Sequence, residues 1–257
     1  MANTVKVAGV ELTQSHAFIS HRAQGYRSLL RTGGAFAVVG AVLALVSNGF
    51  HPHPDDFHLQ ALLLEIEQNN LWPLLHLLLI FALLLIFGAL LSLTLTCEEG
   101  LSGTISRFAA LATGLCGALI MVSTAMDGFS MKALAHSWNQ ATIEEKTMAF
   151  RVAEAFENAQ YAIYSLSVIL FLGIGIFLYW LATTLNRIYP RVLGWLAMVS
   201  GAGAFAVGVV QIFGGPSFRD SEIFFVLFSI MSTIWIFLMG VLMWRKAGTE
   251  QPNKSIA

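Results

Sequence analysis

The sequence predicts an all-α fold, a polytopic membrane helix bundle with six transmembrane helices, and three observations carry that prediction. Hydrophobic residues make up 56% of the 257 residues and charged residues only 11%, against roughly a quarter charged in an ordinary soluble domain. Mean hydropathy is +0.71. The apolar residues are gathered into six runs, each close to the ~20 residues that cross ~30 Å of hydrocarbon. None of the runs has the two-residue alternation of a barrel strand, so their backbone hydrogen bonds must be satisfied within helices.

The spans are expected at residues 33–50, 72–95, 108–126, 161–185, 192–213 and 223–244, and residues 1–257 read as a single integral membrane domain. Residues 1–28 form a cytoplasmic lead-in with Arg22, Arg27, Phe18, Ile19 and Tyr26 suited to the membrane surface. They hold no apolar core of a signal peptide, so the first span is expected to act as the insertion signal. Residues 246–257 form a short cytoplasmic tail.

Loop lengths are unequal: cytoplasmic connections are short and two outer loops are longer and partly helical. In the first, the alternating prolines of His51, Pro52, His53 and Pro54 exclude a helix. A brief helix is expected from about Phe57 to Gln68, with Asp55 or Asp56 as its cap. In the second, Thr142 with Glu145 makes a capping box, starting a helix that runs into the fourth span. At 1.5 Å per residue that helix would be roughly 65 Å long, about twice the hydrocarbon thickness.

Lys and Arg residues set the orientation. Ten of the 14 fall on the side of the termini, among them Arg22, Arg27, Arg31, Arg107, Arg187, Arg191 and Arg245. Lys132, Lys146, Arg151 and Arg219 fall on the other side. Both termini are therefore expected in the cytoplasm, and most acidic residues outside. A net charge of −1 offers nothing to nucleic acid. Cys97 and Cys116 fall at a span end and mid-span, as packing residues rather than a disulfide framework.

Small residues recur at helical spacing as Gly33, Ala37, Ala41; Ala110, Gly114, Ala118; and Ser200, Ala204, Gly208. Such ridges let helices approach where lipid supplies no hydrophobic drive for association, so these three spans are expected in the bundle interior or at a dimer seam. The second and sixth spans, rich in Leu, Ile and Phe, are expected to face lipid along much of their surface.

Ionisable groups at span ends are site candidates, because they usually face a bundle interior or a water-filled cavity. The tract His51, His53, Asp55, Asp56 and His58 offers nitrogen and oxygen ligands suited to a divalent transition metal such as zinc. Solvated histidines beside a helix cap are the plainer reading. His76, one turn inside the second span, would pair with Asp127 or Glu154, or simply hydrogen-bond beside the interfacial aromatics. Asp127 would end the third span, pairing locally with Lys132. Glu154, Glu157, Asn158 and Tyr161 share one face of the long helix. Two carboxylates one turn apart with a histidine from another helix are ingredients of a bundle metal site, although the Glu-x-x-His pair of di-iron bundles is absent. A solvated helix face is the alternative.

His51-Pro52 after the first span, Trp72-Pro73-Leu74-Leu75-His76 opening the second, and Ala125-Met126-Asp127-Gly128 with Lys132 closing the third resemble a group of small bacterial multipass membrane proteins with no assigned activity. The resemblance implies a plasma-membrane protein and no mechanism.

No phosphate-binding glycine loop, zinc-protease motif or nucleophile elbow is present in the sequence. No span carries the central charges of many ion-coupled transporters or the arginines of a voltage sensor. The expected function is binding of a small ligand or metal ion in a polar pocket at the outer ends of the helices, in support of transport. A membrane metalloenzyme using His76, Asp127 and Glu154 is the enzymatic alternative. The third is a non-catalytic scaffold that assembles with itself or with other membrane proteins in the lipid bilayer.

Overall fold

A computed structural model describes residues 4–51, 58–97, 100–186, 189–214 and 219–249, with side chains from residue 24 in the first helix and from residue 223 in the last. The elements are α1 (Thr4–Gly49), α2 (Leu59–Gln68), α3 (Trp72–Thr96), α4 (Gly100–Ala125), a π-helical turn (Met126–Met131), α5 (Lys132–Gln140), α6 (Ile143–Ser167), a π-helical stretch (Val168–Gly175), α7 (Ile176–Asn186), α8 (Arg191–Gly214) and α9 (Arg219–Thr249). Among the described residues, six helical segments are long and apolar enough to cross a membrane: Gln24–Gly49, Trp72–Thr96, Gly100–Gln140, Ile143–Asn186, Arg191–Gly214 and Ile223–Thr249. The fold is the all-helical polytopic bundle that the sequence predicts.

The spans close into a ring. α1 packs on α3, α3 on α4, α4 on α7, α7 on α8, α8 on α9, and α9 returns to α1. Missing Cβ atoms make the closest approaches possible. Gly33 faces Ser92 and Met243, Gly34 lies 2.7 Å from the Gly240 carbonyl oxygen measured from an ideal Cβ, and Gly40 meets Ala82, so α1 is wedged antiparallel between α3 and α9. α8 meets the α6–α7 rod in the same way, with Gly201 on the Phe177 and Gly173 backbone and Gly208 on Ile169 and Ser165.

Of the two places expected for the small-residue ridges, the bundle interior or a dimer seam, the interior does not hold for one ridge, which lies on the outer surface. The Ala110, Gly114, Ala118 ridge points out of the bundle: Gly114 and Ala118 are exposed, and a Cβ on Gly114 would meet no atom within 4 Å. The buried stripe of α4 is Ser102, Ser106, Ala109, Thr113, Cys116 and Gly117. The second span carries one buried side and, as its composition leads one to expect, a long outward stripe. Leu75, His76, Ala82, Leu83, Ile86, Ala89, Leu90 and Leu93 bury one side of α3, while Leu74, Leu77, Phe81, Leu84, Leu91 and Leu95 form the outward stripe.

At the end where α1 begins and α9 finishes, hydroxyls tie the helices together. Tyr179 donates to the Leu90 carbonyl at 3.0 Å and shares a 2.9 Å bond with Thr94, while Ser102 donates to the Ala182 carbonyl at 2.8 Å. Gly100 opens α4 at φ +58°, a left-handed conformation that costs glycine little. Both cysteines are buried and unbonded to each other.

The opposite end carries a cap built from α2, α5 and the start of α6. Leu63, Ile66, Trp72, Met131, Ala135, Trp138 and Ala153 form a second hydrophobic core there, separate from that of the bundle. Lys132 is not the partner of Asp127 that the sequence suggests. Its ammonium donates to the carbonyls of Ile66, Glu67 and Asn69 at 2.7, 2.7 and 3.2 Å, closing the C-terminus of α2, where a cation also complements the helix dipole. The capping box at Thr142 and Glu145 is formed in both directions. The N-cap of α2 is His58 rather than Asp55 or Asp56, and it makes no side-chain cap bond.

Candidate functional site

Three elements meet where the bundle joins the cap. The last turn of α1 closes through Phe50 N–H on Val46 at 3.1 Å and His51 N–H on Asn48 at 3.3 Å, which places His51 at the helix exit. α3 begins after an Asx turn, in which Leu71 N–H donates to Asn69 Oδ1 at 2.8 Å, and Pro73 occupies its first turn. Trp72 and His76 thus stand one turn apart on its buried face. The helix of the third span does not stop at Asp127. It continues through the π turn Met126–Met131 into α5, and the wider turn carries Asp127 toward α3.

His51, His76 and Asp127 are brought together there, with ligand atoms all within 4.8 Å of one another. His76 Nε2 lies 3.0 Å from Asp127 Oδ2, and His51 Nε2 lies 4.0 Å from the same oxygen. Burial is graded: the His76 side chain is 2% exposed, His51 24% and Asp127 28%. Trp72 joins them. Its indole N–H donates to the Asp127 carbonyl at 3.0 Å, and its ring lies 4.5 Å from the His51 ring and 4.8 Å from the His76 ring. A Cβ on Gly128 would overlap His76, so glycine is what lets the π turn approach α3 this closely.

The hydrogen bonds assign the tautomer of His76. Its Nδ1 lies 2.8 Å from the Trp72 carbonyl oxygen, which can only accept, so Nδ1 carries a proton. In the neutral ring, Nε2 then presents a lone pair to a carboxylate oxygen 3.0 Å away. Two lone pairs facing at this distance call for a cation between them. A proton there gives an imidazolium–carboxylate pair; a metal ion there gives a ligated imidazole whose other nitrogen is fixed by a carbonyl, the usual outer-shell arrangement of metal-binding histidines. Zinc bonds of about 2.0–2.1 Å in tetrahedral geometry place ligand atoms about 3.3 Å apart, and the present separations bracket that spacing.

The remaining described candidates lie elsewhere. His53 falls outside the described residues, as do Asp55 and Asp56. His58 is exposed at the start of α2. Glu154 accepts from Arg151 at 2.7 Å on the outside of α6, and Glu157 is half-buried one turn further on. Neither glutamate joins the triad. His136 bonds Glu67 at 2.9 Å on the cap. One turn before Asp127, Ser123 accepts from buried Gln160 at 3.1 Å. Two components are not evident from sequence: the π turn, and Trp72, whose place at a span boundary suggests an interfacial aromatic although it is 1% exposed. The Trp-x-x-x-His spacing was the available signal.

Comparison of the chain with protein-family models, with curated proteins and with solved structures gives no significant match in any of the three.

Proposed function

We propose that this chain is a plasma-membrane protein with both termini in the cytoplasm that binds a divalent transition metal ion, zinc being the best fit, at the outer ends of its helices. His51 Nε2, His76 Nε2 and an Asp127 carboxylate oxygen are its ligands. The carrying observation is the 3.0 Å approach of His76 Nε2 to Asp127 Oδ2 while Nδ1 is committed to the Trp72 carbonyl. Two imidazole nitrogens and a carboxylate suit zinc or copper better than magnesium or calcium, which prefer all-oxygen sites.

An ion fits this place better than an organic ligand. The rings of His51, Trp72 and His76 are in contact at centroid separations of 4.5 to 5.1 Å, so an organic molecule would have to part them. Three protein ligands leave a zinc ion a fourth position for water or an incoming group. The greater exposure of His51 and Asp127 supports access from the outer side. Binding is favoured over the metalloenzyme reading because Glu154, one of the three residues that reading needs, is engaged by Arg151 away from the triad.

Elemental analysis of the detergent-purified full chain tests the proposal, with His51→Ala and His76→Ala beside wild type. About one equivalent of zinc in wild type, lost in both variants, is the expected result. Wild type that takes up no metal after incubation with zinc and removal of excess ends the proposal.

A further inference from the structure

Trp72 belongs to two structures at once. Its indole N–H holds the Asp127 carbonyl and its ring packs on both ligand histidines. The same ring lies in the core of the cap with Leu63, Ile66, Met131, Ala135 and Trp138. The π turn is shared in the same manner: it supplies Asp127 to the site and, four residues on, fully buried Met131 to the cap. Lys132 follows directly and fastens the end of α2 through three carbonyls.

We infer that Trp72 is a positioning residue that couples ion occupancy of the His51, His76, Asp127 site to the order of the extramembrane cap formed by α2, α5 and the start of α6. The inference rests on the metal reading above and extends it from binding to signalling. The physical basis is that an ion ligated by Asp127 and His76 fixes the π turn against the first turn of α3. Those are the two backbone segments from which Met131 and Trp72 enter the cap core. Interiors are close-packed, so fixing these two side chains restrains the residues around them. Without an ion the π turn is held to α3 by packing and hydrogen bonds, and the restraint of shared ligation is missing. The cap then opens locally more often. A ligand that restrains one part of such a unit lowers the cost of ordering the rest.

Hydrogen exchange on the full chain in detergent, with and without zinc, tests the coupling. Metal uptake by elemental analysis and the ligand-field spectrum of the cobalt-loaded protein accompany it, and Trp72→Phe is compared with wild type. The expected result has three parts. Zinc slows exchange in residues 59–68 and 132–140 of wild type as well as at the ligands. Trp72→Phe, which keeps a ring but deletes the indole N–H, binds about tenfold or more weakly, the usual cost of losing an outer-shell partner. Its cobalt spectrum is shifted and the zinc effect on the cap is lost. One equivalent of zinc with slowing confined to residues 72–76 and 126–131 overturns the coupling and leaves the metal site standing. A variant that binds zinc as wild type does, with an unchanged cobalt spectrum, removes the positioning role. Absence of zinc from wild type removes the metal reading and this inference together. Should Trp72→Phe not fold, the wild-type exchange comparison decides by itself.

Discussion

Gly128 lies so close to His76 that a Cβ on the glycine would overlap the Cβ and Cγ of the histidine. The clash falls on the base of a buried side chain, not on a flexible tip, so either the π turn or α3 must give way. Alanine's better helix preference offers about 1 kcal/mol, whereas overpacking costs about 1–3 kcal/mol. Gly128→Ala is therefore expected to destabilise by up to ~2 kcal/mol on balance and to displace His76 from Asp127. A lowered thermal midpoint together with reduced zinc stoichiometry is the expected pair of readouts; unchanged values in both would show that the turn adapts freely.

Asp127→Asn removes the anion while keeping the shape. The Trp72 indole still donates to the backbone carbonyl of residue 127, so the fold should survive with little change in unfolding temperature. Metal uptake should fall at least tenfold, because a carboxylate ligand becomes a neutral amide. His76→Ala differs. The Trp72 carbonyl keeps its backbone partner in the helix ladder, but a buried ring packed against His51, Trp72 and Gly128 is deleted, and the cavity costs about 2 kcal/mol or more in addition to the loss of metal.

Lys132→Met keeps the stem of the side chain and deletes the ammonium that bonds three carbonyls at the end of α2. Hydrogen bonds to a charged donor contribute about 1.5–3 kcal/mol, but the group is partly solvated, so a loss near 2 kcal/mol or below is expected. The change should appear locally, as faster limited proteolysis near Asn69 and Asn70. Proteolysis indistinguishable from wild type would mean that packing alone retains α2.

Thr142→Ala removes one half of the capping box at the tip of the long α6 rod. A cost of about 1 kcal/mol is expected, seen as faster amide exchange in the first turn of α6. Zinc uptake should remain at wild-type stoichiometry.

Two glycines discriminate the inward from the outward faces. Gly201→Ala puts a Cβ against the Phe177 and Gly173 backbone, with 2.9 and 3.1 Å contacts that no rotamer change relieves. A destabilisation of about 1–3 kcal/mol is expected. Gly114→Ala meets open space and should be neutral or slightly stabilising. The reverse order in thermal unfolding would place the α4 interior on the other face.

What could be read from sequence was decided by strong, local constraints. Hydrocarbon thickness fixes span length, which made the six helices legible. The scarcity of ionisable side chains at span ends singled out His76 and Asp127. The Thr142 and Glu145 box carries its own signature. Faces were harder to read. Lipid is as apolar as the bundle core, so α3 shows leucine on its buried and its exposed sides alike, and period alone does not choose between them. On α4 both faces carry small residues, and the stripe with hydroxyls turned out to be the inner one. A π turn is a register shift of the backbone with no composition of its own, which is why Asp127 looked like a helix end rather than a point within a continuing helix.

The π turn at Met126–Met131 also works as a phase setter. Each residue advances an α-helix by about 100°, so the extra residue accommodated in a wide turn rotates everything beyond it relative to everything before. Deleting one residue between Met126 and Met131 would restore regular winding yet swing Lys132, Ala135 and Trp138 by roughly that angle away from α2. The azimuth of α5 against α2 is thus set by a single residue's worth of backbone, in the same turn that carries Asp127.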